Sequence, residues 1–152
     1  MKVVGLGKVP EGCGSRHYDY EELNEFCLER AENGGAQEIY YWYGIGNWEG
    51  NGQALVKNST QWMVVDLSHC SCYGPFDEFE FGIGGRIFES LKDISEDVKD
   101  NEDLKKNIEP LIGLAGGTNL EHVILTIKMP KMTNIKHKQF LKVLKEWDVE
   151  VM

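Results

Sequence analysis

An α+β fold, in a single domain spanning residues 1–152, is what this sequence predicts on three observations. Residues 38–70 hold three aromatic or β-branched runs joined by short polar connections, the pattern of an antiparallel meander. Elsewhere apolar residues recur at helical spacing, most clearly Ile87, Leu91, Ile94 and Val98. Strand-like and helix-like runs are mixed along 152 residues, a length suited to one hydrophobic core.

The elements follow in order. "MKVVGL" reads as a short first strand, and the glycine-rich "GKVPEGCGSRH" connects it to a helix over 20–32. Asp19 and Glu22 have capping-box spacing at the start of that helix. Leu23, Cys27 and Ala31 share one of its faces, with Phe26 beside them, and Asn33-Gly34-Gly35 ends it. Its outer face carries Glu21, Glu22, Glu25, Glu29 and Glu32. The meander comprises "EIYYWYGI", then "GQALVKN" after a loop containing Asn51-Gly52, then "STQWMVVDLSHC" after a turn at 58–60. In the third run Met63, Val65, Leu67 and His69 form the more apolar alternate set. That set is expected to face the core, with Cys70 pointing outward.

A helix over 86–99 is predicted next, then a further helix capped by Asn101 with Leu104, Ile108, Leu111 and Ile112 inward and Pro110 limiting its regularity. "HVILTIKM" reads as a central strand covered on both faces. Thr133 is placed to cap a final helix over 134–147, and "VEVM" can add a terminal strand.

Composition narrows the function classes. No apolar run approaches the ~20 residues of a membrane span, and the first residues are too weakly apolar for a signal peptide. The expectation is a cytoplasmic protein with reduced cysteines, in which the Asn58 glycosylation match goes unused. The net charge of -9 is uneven: residues 1–122 sum to -12 and residues 123–152 to +3. This opposes a broad grip on nucleic acid and permits an acidic surface aimed at a basic partner.

Three motifs bear on chemistry. "GIGNWEGNG", with Gly44, Gly46, Gly50 and Gly52, lacks both the dinucleotide-binding spacing and the P-loop lysine, and reads as a wide hairpin loop. Trp48 within it is a candidate anchor for a partner. "FGIGGRIF" leads into the predicted 86–99 helix, so Gly84, Gly85 and Arg86 are candidates for holding an anion at a helix N-terminus.

The third, "VVDLSHCSCYGPFDEF", concentrates His69, Cys70 and Cys72, which Cys13 and His17 could join around zinc. Cys-x-Cys is not the usual Cys-x-x-Cys knuckle, and no second knuckle follows. For a catalytic thiol, His69 and Cys70 are adjacent along a strand and so point to opposite faces, which prevents a dyad. A Cys70–Cys72 disulfide would be strained. The simpler reading is a strand end followed by a Tyr73-Gly74-Pro75 turn, with no metal and no cofactor. Tyr73, Asp77, Glu78 and Glu80 then form an aromatic, acidic recognition surface together with Glu22, Glu25 and Glu29.

"LSHCSCYGP", preceded by "YYWYG" and "WEGNGQA", resembles segments of small uncharacterised proteins encoded by bacteriophages and prophages, over residues 38–80. The resemblance implies a phage accessory protein that acts in a bacterial cytoplasm and binds and modulates or inhibits a host protein. It implies no catalytic residue. Alongside this expectation stand two alternatives. One is a small enzyme, Cys/His-dependent or zinc-containing, using residues 69–72. The other is an anion or small-ligand binder at Gly82–Arg86.

Overall fold

The computed structural model describes residues 1–10, 18–46, 49–70 and 73–117, together with the backbone of 123–127. The described elements are β1 (Lys2–Leu6), β2 (Asp19–Tyr20), α1 (Glu25–Asn33), β3 (Glu38–Gly46), β4 (Glu49–Lys57), β5 (Trp62–His69), β6 (Arg86–Phe88), α2 (Leu91–Val98), α3 (Glu102–Ala115) and β7 (Val123–Ile127). They form an α+β fold around a mixed sheet of mostly antiparallel strands, ordered β6-β5-β4-β3-β1-β7, with β2 beside β3. Among the described strands only β1 and β3 pair in parallel, and α1 lies between them in the chain. The expected helix over 134–147 and the "VEVM" strand lie outside the described residues.

The predicted meander is β3-β4-β5, with all its pairings antiparallel. Asn58 closes its second turn by accepting amide hydrogen bonds from Thr60 and Gln61 at 2.9 and 2.7 Å. The first turn differs from the expected wide loop. Gly46 pairs with Glu49, so Asn51-Gly52 belongs to β4. The glycines there do not supply positive φ, which among described glycines falls at Gly35, Gly82, Gly84 and Gly117. They make room instead. A Cβ at Gly52 would strike the Trp42 carbonyl and the Tyr43 ring, and one at Gly50 would strike Tyr43 and His69.

Both faces of the sheet are covered. Met63, Val65 and Leu67 pack with Val3, Ile39, Tyr41 and Val56 beneath α1. Trp62 and Val64 pack with Tyr40, Trp42 and Leu55 beneath α2 and α3, against Ile94, Val98, Ile108 and Leu111. The expectation that one alternate set of β5 faces the core is thus half of the arrangement, since two helical layers sandwich the sheet. β7 pairs only with β1 and ends the described strand order, so "HVILTIKM" is not central among the described strands.

Two helix boundaries move. Asn24, not Asp19, caps α1, its side chain accepting from the Cys27 amide at 2.9 Å. Asp19 and Tyr20 are instead drawn into pairing with β3. The predicted 86–99 helix begins only at Leu91, capped by Ser90. Residues 86–88 extend the sheet because Gly85 passes hard against β5. A Cβ there would lie 2.6 Å from the Val64 carbonyl and the Met63 side chain. Asn101 caps α3 as expected, and Pro110 sits inside that helix.

Candidate functional site

The segment after β5 builds the site. Cys70 pairs back to Tyr73 in an isolated antiparallel bridge, and the chain then turns over the sheet toward α1. Phe76 adopts φ 65°, the left-handed region, which costs a non-glycine residue ~1–2 kcal/mol. Its burial under α1, edge-on to Phe79 at 5.2 Å, offsets that by roughly 1.5–3 kcal/mol. Asp77 fixes the turn by accepting from the Gly74 amide at 2.7 Å. Arg30 of α1 then ties the two segments together. Its guanidinium donates to the Asp77 carbonyl at 2.9 Å and pairs with the Asp77 carboxylate at 3.2 Å. Gly34 completes the contact, since its carbonyl accepts from the Phe81 amide at 2.8 Å.

Two clefts flank this segment. One, of ≈ 460 Å3, lies between α1 and residues 69–77 and is lined by Glu21, Glu22, Phe26, Cys27, Arg30, Tyr43, His69, Cys70, Tyr73 and Asp77. The other, of ≈ 530 Å3, lies between β5 and residues 73–84. Two aromatic side chains stand out at the first cleft: Phe26 is 58 % exposed and Tyr73 51 % exposed. Arg30 stacks over the Phe26 ring at 4.4 Å, holding it on the outer side of α1.

The expected site residues divide accordingly. Glu22, Tyr73 and Asp77 come together in the first cleft, with Glu25 and Glu29 exposed on α1 beside it. Glu78 lines the second cleft, and Glu80 is exposed just beyond it. Asp77 is not an available carboxylate, because Arg30 and the Gly74 amide occupy it. Trp48 lies outside the described residues. Phe26 and Arg30 escape a reading by apolar pattern alone. The signal for them is their spacing of four, which places an aromatic and a guanidinium together on a helix surface.

At the base of the first cleft the Tyr43 hydroxyl contacts His69 Nδ1, the rings 5.5 Å apart. His69 is therefore engaged by a phenol, and Gly50 and Gly52 leave the space for that pair. Burial, with Asp77 nearby, raises the Cys27 thiol above its ordinary pKa, which keeps it protonated and poorly nucleophilic at neutral pH. Among the described residues no group of three His, Cys, Asp or Glu side chains is placed to hold a metal ion. Cys13, His17 and Cys72 lie outside them. The helix N-terminus expected at Gly84-Gly85-Arg86 is absent: Arg86 opens β6, and its guanidinium pairs with Asp97. Among the described residues no helix is long and apolar enough to cross a membrane.

Fold and site together define an α+β domain with an acidic, aromatic-rimmed cleft beside one helix. No protein-family model matches the chain, and no curated protein or solved structure is detectably similar to it.

Proposed function

We propose that this chain is a protein-binding protein and that the cleft between α1 and residues 69–77 captures a basic segment of its partner. The observation that carries this reading is the pairing of two exposed aromatics, Phe26 and Tyr73, on one cleft with Glu21 and Glu22. Exposed aromatic rings beside a concavity are the usual anchors of an interface. Carboxylates around them steer and select a cationic partner. The likeness of residues 38–80 to phage-encoded proteins supports a bacterial host protein as that partner, with modulation or inhibition as the effect.

The test is association kinetics with a partner isolated from bacterial lysate, measured at two salt concentrations. Association should slow as salt rises, and reversing Glu22, Glu25 and Glu29 to lysine should slow it about tenfold at low salt. Tyr73→Ala and Phe26→Ala should each speed dissociation by ~10–30-fold, the scale of a truncated anchor. Trp48→Ala belongs in the same series. Association indifferent to salt and charge reversal, with dissociation indifferent to both aromatic truncations, would remove the cleft as the interface.

A further inference from the structure

Among the described residues the outer edge of β5 is paired at both ends and unpaired between them. At one end β6 pairs antiparallel as far as Val64↔Arg86. At the other, the Cys70 amide donates to the Tyr73 carbonyl at 3.1 Å, again antiparallel. Backbone groups of alternate strand residues point the same way, so Asp66 and Ser68 present their N–H and C=O to the same side as Cys70. Among the described residues no backbone hydrogen bond reaches Asp66 or Ser68 from that side. The chain that could have filled the gap leaves it instead, turned away by positive φ at Phe76, Gly82 and Gly84.

The second cleft occupies this gap. Four consecutive residues of β5, from Val65 to Ser68, line it. Side chains alternate along a strand, so a continuous run lining one cleft means that its backbone edge faces the space. The floor toward α1 is apolar, from Phe76 and Phe79. Among the described residues, Asp66, Asp77 and Glu78 line the cleft against one cation, Arg30, which Asp77 already pairs.

We infer that this gap accepts one extended segment of a basic partner as an added antiparallel strand in line with β6. The reading rests on the partner-binding function proposed above and states how the partner's backbone is held. The register sets the ligand's chemistry. Residues opposite Asp66 and Ser68 exchange backbone hydrogen bonds with the edge, and their side chains share a face with the Asp66 carboxylate, which favours lysine or arginine. Residues between them face Phe76 and Phe79 and should be apolar. A second copy of this chain is disfavoured as occupant, because each copy has net charge -9 and brings its own carboxylates to the gap.

The probe is an acetylated Val-Lys-Val-Lys-Val amide, titrated into the isotope-labelled full chain and followed by amide NMR. The Asp66 and Ser68 resonances should move. Methylating the two lysine amides removes the hydrogen bonds to the edge and should weaken binding at least about tenfold. Methylating the valine amides, which face away, should change it less than ~3-fold. Ser68→Pro deletes only an outward N–H and should abolish binding while β4–β5 pairing persists. If that variant fails to fold, the two methylated peptides decide. Equal binding by both, or no binding at millimolar peptide, overturns strand addition. So do Asp66 and Ser68 shifts that depend on protein concentration without peptide, which would make a second copy the occupant. Failure here with aromatic anchoring intact at Phe26 and Tyr73 would overturn strand addition alone.

Discussion

Tyr41→Phe isolates the tether that sets α1 against the sheet. The Tyr41 hydroxyl accepts from the Leu23 amide at 3.0 Å and from the Tyr20 hydroxyl at 3.1 Å. Leu23 immediately precedes Asn24, the cap of α1, so this bond fixes where the helix starts. The substitution keeps the buried ring and removes one oxygen. Tyr20 is half-buried, and its hydroxyl loses an acceptor in the same substitution, a share of ~1 kcal/mol. The Leu23 amide is buried and loses its acceptor, at a cost of ~1–3 kcal/mol. The expected destabilisation is therefore about 2 kcal/mol, seen as a lower denaturant midpoint at unchanged slope, or as a fall in Tm of roughly 4–8 °C. Tyr20→Phe should cost under ~1 kcal/mol. A Tyr41→Phe chain within ~0.5 kcal/mol of the parent would mean that the tether does not position α1.

Two further outcomes follow from the same contacts. Asn24→Ala should cost ~1 kcal/mol in chemical denaturation by removing the cap of α1, whereas Asp19→Ala, at the position the sequence pattern favours, should be near neutral. Burial raises the Tyr40 and Tyr41 phenols above their ordinary pKa, Tyr40 further through its hydrogen bond to Glu38. Their stabilising effect is full below pH ~10 and is lost as pH rises through the folded values, because the unfolded chain releases those protons first. With Tyr20, whose phenol burial raises likewise, three such groups give a slope of roughly 4 kcal/mol per pH unit above pH ~10. Ultraviolet titration should show these tyrosines ionising only together with unfolding.

Much of this architecture is legible in the chain because burial on one face leaves a periodic trace. The meander is marked by its aromatic runs and by Asn58, and α3 by Asn101 and the spacing of Ile108 and Leu111. The start of α1 is misplaced by pattern because Asp19 satisfies local capping rules, while pairing of residues 19–20 with β3 overrides them. Ile87 continues the apolar stripe of α2, but Gly85 commits that stretch to the sheet and leaves Ile87 36 % exposed. Carboxylates and Tyr73 are visible as a candidate surface. The joining of residues 73–77 to α1 through Arg30 is not, because a contact across 47 positions leaves no local periodicity.

The central claim, that the cleft between α1 and residues 69–77 is the partner-binding surface, is tested most directly by site-specific photo-crosslinking. A benzophenone side chain replaces Phe26, Tyr73 or, on the opposite layer, the exposed Glu109 of α3. Positions 26 and 73 should capture the same basic protein, in yields that drop when Glu22, Glu25 and Glu29 are reversed, while position 109 captures none of it. Equal capture at all three positions, or capture at 109 alone, would contradict the account.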